Sequence, residues 1–168
     1  MIIAAHWLKV FDSSGSAWID SDKKKFELTL SALKDIPIKN IVVIGNLPMF
    51  EIDQARVAMK IYNHGEVGRT FYKFKPISAV IDKKIGDFAK ENSVMFASPI
   101  ELLRNSEGCL ISTSKSSLNY LAWDRAHLTE EGSVLLVDKI FKLLPIKILI
   151  HFTPLPSRFY SLSEVSVK

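Results

Sequence analysis

Two residues dominate the chemistry open to this chain: Asp124 and, three positions later, His127. A carboxylate so placed can hold one imidazole nitrogen. The other nitrogen is then left to take a proton from a hydroxyl nucleophile and return it to a leaving group. Spacing alone is a weak signal. With four His in 168 residues, chance supplies about 0.2 such pairs per chain. The context is stronger. Thr129 can cap a helix whose first turn carries Glu130 and Glu131, the charge sign that a helix N-terminus favours. Val134, Val137, Ile140, Phe141 and Leu144 then recur at helical spacing until Pro145. A histidine on the loop feeding such a helix is both backed and exposed. The plainer alternative is a loop imidazole that only caps or packs.

The elements that must position this pair follow from hydrophobic patterning. Ile2-Ile3-Ala4-Ala5 reads as a buried strand, Ile41-Val42-Val43-Ile44 as a second and Val94-Met95-Phe96-Ala97 as a third. Between them, Phe26, Thr29, Leu30 and Leu33 mark one face of a helix starting near Ser21 or Asp22, and residues 52–62 form another, ended by Asn63-His64-Gly65. Ile77, Ile81, Ile85 and Phe88 mark a third helix. Residues 65–76 read as a loop, 99–103 as a turn or short helix, and 108–120 as irregular or a short hairpin. Continuous apolar strands alternating with amphipathic helices predict a three-layer α/β/α domain around a mostly parallel sheet. Sites in such sheets gather at the carboxyl ends of the strands, so the segments after Ala5, Ile44 and Ala97 should share an edge with residues 124–127. One domain is expected over residues 1–145. The tail, 146–168, is broken by Pro154 and Pro156 and fits neither helix nor strand; it reads as a loose extension or as the product of a shifted reading frame.

Composition narrows the partners. At 48% hydrophobic and 24% charged, the chain can build one real core. Its net charge of +4 invites a nucleic-acid reading, but Lys23-Lys24-Lys25 is the sole run of three and opens a helix with an apolar face. No interleaved aromatics accompany it, so no nucleic-acid partner is expected. His6, His64, His127 and His151 have no metal-ligand spacing, and Cys109 is the single cysteine. Neither a metal nor another cofactor is expected. No basic leader or long apolar run occurs, and residues 146–152 are too short to span a bilayer, so the chain as written would be soluble and cytoplasmic.

Several pieces, in order across residues 1–144, resemble one family. Ile2-Ile3-Ala4-Ala5-His6-Trp7 resembles a strand followed by Ala-Arg-Trp. Val42 to Phe50 resembles a strand end of the form Val-Ile-Gly-x-x-Pro-x-Phe. Ser98 to Leu103 is similar to a Pro-x-x-Leu-Leu-Cys segment, and Tyr120 to Gly132 to Tyr-x-Asp-x-x-His-Leu-Ser-x-x-Gly. These are features of the SGNH-type (GDSL-like) domain at the C-terminus of bacterial membrane-bound O-acyltransferases that decorate surface polysaccharides such as lipopolysaccharide O-antigen. The resemblance implies acyl transfer or ester hydrolysis, an acyl donor, a carbohydrate acceptor, a membrane acyltransferase domain as partner, and a periplasmic or envelope setting. It makes His127 the general base and Asp124 its orienter.

The departures from that pattern matter as much. The family's Gly-Asp-Ser-His nucleophile block is absent, so the nucleophile is unknown and the chain reads as N-terminally truncated, with little activity expected alone. Such a fragment would expose an apolar sheet edge and associate. His6 stands where the family has Arg, and a neutral imidazole donates one hydrogen bond against five from guanidinium. Arg104 and Cys109 stand where the family carries a cysteine pair. Ser13 and Ser14 follow the first strand but read as a flexible Ser/Gly loop. Asn46 is an oxyanion-donor candidate or an ordinary turn residue, and Trp7 lines the site or simply packs. A non-catalytic domain that binds glycan or a partner is the alternative.

Overall fold

A computed structural model of the chain describes residues 1–62, 68–113, 119–125 and 127–143; Asn63-His64-Gly65 and residues 144–168 lie outside these. Three parallel strands, β1 (Ile2–Ile3), β2 (Val42–Ile44) and β4 (Met95–Ala97), form a sheet in the order β1-β2-β4. Ile2 stands opposite Val42, and Val42 in turn opposite Met95. The alternation of β2 explains the layers. Val42 points to a cluster with Ala97, Leu103, Leu121, Leu136 and Ile140. Val43 points the other way, to Trp7, Phe11, Ile81, Ile85 and Ala89. Helices α4 (Pro99–Leu103) and α5 (Glu130–Leu143) therefore cover one face. Helix α3 (Pro76–Glu91) covers the other, joined by α1 (Asp20–Lys34) through Leu30, Ile41 and Phe88. The fold is three-layer α/β/α, as the patterning predicts.

Helix starts follow local chemistry. Pro76 and Pro99 open α3 and α4 at positions where a missing N–H costs nothing. Ser98 caps α4 by accepting the Glu101 N–H at 3.0 Å. The lysine run lies in α1, where Lys23 pairs with Glu27 and Lys25 with Asp22, a solvated ion-paired face.

Two readings of the sequence need correction. The Ile2–Ile3 strand is not buried: Ile2 is 51% exposed, because β1 is an edge strand with one open side. The stretch read as a loop before Pro76 holds β3 (Arg69–Thr70). It pairs antiparallel with β6 (Gly108–Leu110), itself hairpinned to β5 (Arg104–Asn105). This second sheet lies by α2 (Gln54–Tyr62), over a separate cluster of Phe50, Val57, Ala58, Ile61, Cys109 and Ile111. Arg104 and Cys109 face each other across the hairpin. The Cys109 thiol is buried and its pKa is pushed up to about 11 by that burial, the nearby Arg104 and Arg69 charges acting in the opposite sense.

Candidate functional site

The loop 121–129 is tied at both edges by backbone bonds. Trp123 N–H donates to His127 O at 2.9 Å, and Thr129 N–H to Leu121 O at 3.0 Å. Inside that frame Asp124 holds His127 twice. Its Oδ1 accepts the His127 backbone N–H at 2.8 Å, and its Oδ2 lies 2.7 Å from Nδ1 of the ring. A carboxylate bound to Nδ1 selects the tautomer with a proton there and leaves Nε2 as the basic nitrogen. The imidazole is 80% exposed, open to an incoming substrate rather than sealed in the core. Arg125 reaches Asp53, at the head of α2, across 3.6 Å, a weak exposed anchor for the same loop.

Thr129 completes the mount. It is buried, donates its hydroxyl proton to Tyr120 O at 2.7 Å and accepts the Gly132 N–H at 3.0 Å. One side chain thus caps α5 and fastens it to the segment leading into the loop. Thr129→Val, which keeps the shape and deletes both bonds, should cost about 1–3 kcal/mol. Urea denaturation would measure this, and no loss would remove Thr129 from the mount.

His127 stands at a cleft of about 520 Å³ along the carboxyl edge of the parallel sheet. Ala5 and His6 after β1, Asn46 and Leu47 after β2, and Pro99 after β4 contribute to it. The remaining walls are largely apolar, with Met49, Leu136, Val137 and Ile140 among them. Three sequence-selected residues, His6, Asn46 and His127, are therefore brought to one cavity. Asn46 is 5% exposed, and its Nδ2 meets no protein acceptor among the described residues. Trp7 goes elsewhere. It is 2% exposed, donates its indole N–H to Ile44 O at 2.7 Å and packs against Phe26, so it does not line the cleft.

No nucleophile is assembled from the loop serines. The Ser14 hydroxyl donates to Asp12 at 2.9 Å and lies 2.6 Å from the Ser16 oxygen, and neither Ser13 nor Ser14 lines the cleft. Sequence reasoning passed over Ser133, which does line it. Its hydroxyl donates to Thr129 O at 2.8 Å, the ordinary back-bond of a helical serine. Nor did it single out Asp82 and Ser98, which meet behind Asn46. Among the described residues there is no cluster of metal-ligating side chains, and no helix long and apolar enough to cross a membrane.

Fold and site together define an α/β domain with a carboxylate-oriented histidine at the carboxyl edge of its sheet. The solved periplasmic domain of a lipopolysaccharide acetyltransferase from Salmonella ser. Paratyphi A is similar, with a TM-score of 0.64 and 18% identity over 84% of this chain and 55% of that one. The chain spans about half the length of that solved domain. At that identity the likeness shows the fold. No protein-family model matches the chain, and no curated protein does.

Proposed function

We propose that this chain is a partial SGNH-type acyltransferase or esterase domain acting on O-acyl groups, chiefly acetyl, of carbohydrates. Its double grip of Asp124 on His127 at an open cleft carries the reading. In this scheme His127 Nε2 is the general base and later the acid, and Asp124 fixes the ring and stabilises the imidazolium. The Asn46 amide donates to the acyl oxygen and His6 to the substrate. An acyl donor, a carbohydrate acceptor and an envelope setting are supported by the solved neighbour's description, and a membrane acyltransferase partner by the sequence resemblance alone.

The partner that the described cleft residues do not supply is a hydroxyl nucleophile. Among the described cleft residues the sole serine hydroxyl is engaged by Thr129 O. That observation favours, as a second reading, a domain that binds acylated glycan without turning it over.

Both readings share a test. An O-acetylated methyl glycoside, followed by ¹H–¹⁵N NMR, should shift the signals of His6, Asn46 and His127, and the unacetylated parent should not. Hydrolysis of an aryl acetate by this chain should stay near the solvent background, because removing a triad member forfeits most of the rate. Absence of selective shifts at the cleft sinks the proposal. Robust hydrolysis abolished by Ser13→Ala would move the centre to the Asp12–Ser16 loop. Glycoside affinity unchanged by His127→Ala would favour the binding reading over the catalytic one.

A further inference from the structure

Asp82 projects from the middle of α3 and is 4% exposed. Its Oδ1 accepts the backbone N–H of Asn46 at 2.6 Å, and its Oδ2 accepts the hydroxyl proton of Ser98 at 2.5 Å. Ser98 is also the cap of α4. One carboxylate therefore ties a helix behind the sheet to the ends of β2 and β4, whose next residues, Asn46, Leu47 and Pro99, line the cleft on the other side. The approach is so close that a Cβ on Gly45 would stand 2.0 Å from Asp82 Oδ1. Asn46 is thus fixed by its backbone, while its side-chain amide meets no acceptor among the described residues.

We propose that Asp82 is the positioning residue of the cleft: through the Asn46 N–H and the Ser98 hydroxyl it fixes the turn that presents the Asn46 amide. It touches no ligand. The inference rests on the reading of Asn46 as the donor to an acyl oxygen.

The clamp has a built-in pH dependence. Burial raises the Asp82 pKa to about 6, against the lowering effect of the bonds from Ser98 and Asn46. The other charges facing it come from the segment after β4: Glu101, which raises the value, and Arg104, which lowers it. Lys83 and Asp87 of α3 line the same outer groove. Protonation reverses the bond to Ser98, whose oxygen must then accept, and leaves the Asn46 N–H facing a neutral acid instead of a charged carboxylate, a weaker hold on the turn.

The experiment is a series of ¹H–¹⁵N NMR spectra of the whole chain from about pH 4.5 to about pH 8, with and without the O-acetylated glycoside. The Asn46 backbone amide should lie downfield at high pH and move upfield through a midpoint near 6. The Glu101 amide, capped by Ser98, should follow with the same midpoint. Glycoside affinity should fall several-fold below that midpoint. Asp82→Asn should abolish both the titration and the pH dependence of affinity. Ser98→Thr should keep them, and Ser98→Ala should displace the midpoint. An Asn46 amide that does not titrate, or titrates equally in Asp82→Asn, overturns the clamp. So does an affinity profile indifferent to the substitution, which is what a merely structural carboxylate would give. If the amides behave as expected and no glycoside binds, the clamp holds Asn46 and the acyl-donor reading of the cleft is what fails.

Discussion

Asp82→Asn should stabilise the chain by about 3 kcal/mol near pH 7 and by nearly nothing near pH 4. The sign follows from linkage. The folded-state pKa is about 6 and the unfolded value 3.8. Between them the native chain holds more protons than the unfolded one, so stability falls as pH rises through that window. At neutral pH the folded protein carries a buried carboxylate whose two hydrogen bonds do not offset its desolvation. Asparagine imitates the neutral acid in shape. Its oxygen can accept from Asn46 and its amide can donate to the Ser98 oxygen, with no charge to bury. Urea denaturation of both proteins at several pH values would show the curves converging in acid. A difference independent of pH would mean that Asp82 stays ionised throughout, and would remove the basis for a titrating clamp. Asp12 supplies the opposite case. Hydrogen bonds from Ser14, foremost, and from Ser16 lower its pKa to about 2, so its contribution is present above the ordinary aspartate range and fades only in strong acid. A carboxylate that opposes folding at neutral pH, placed against the turn that carries Asn46, is the pattern expected where position is kept at the expense of stability.

The parallel sheet and its helices were legible because each leaves a local signature: β2 and β4 lie within four-residue apolar blocks, and α3 repeats Ile77, Ile81, Ile85 and Phe88 on one face. The Asp124–His127 pair was legible for the same reason, since both of its bonds span three residues. What escaped is set by tertiary structure. Ile2-Ile3 has the composition of a buried strand, and only the sheet order leaves it at an edge. The antiparallel sheet is built from two- and three-residue strands carrying Arg69, Arg104 and Asn105, too short and too polar for an alternation to register. Asp82 looks like any charged helix position. Its meaning comes from partners 16 and 36 residues away, brought to it by the β2–β4 register. One hint was available: Ser78 and Asp82, a helical turn apart, place two polar residues on the buried side of an otherwise apolar stripe, and both are buried.

Gly132→Ala should be the most damaging small substitution near the site, costing about 3 kcal/mol or more despite the better helix propensity of alanine. A Cβ there would stand 2.1 Å from Leu121 O, 3.0 Å from Leu121 C and 3.1 Å from Thr129 Oγ1. Two of the three atoms are backbone and cannot swing aside. The first turn of α5 would have to withdraw from the segment that leads into the 124–127 loop. That withdrawal breaks the Thr129 N–H bond to Leu121 O and the hydroxyl bond to Tyr120 O together. Helix propensity offers at most about 1 kcal/mol in return, so the steric term decides. Gly68→Ala is the control: its φ of +99° imposes backbone strain, but nothing lies within 4 Å of the added methyl. Chemical denaturation should therefore rank Gly132→Ala well below Gly68→Ala, and the reverse order would refute the close approach of α5 to Leu121. NMR adds the functional half. The Asp124–His127 bonds span only three residues and need no contact with α5 to form. The ring should therefore keep its carboxylate in Gly132→Ala even as it loses its place at the cleft. A His127 signal that remains coupled to Asp124 but no longer responds to the O-acetylated glycoside would separate two requirements of the site. The pair is made locally, and its aim is supplied by the helix behind it.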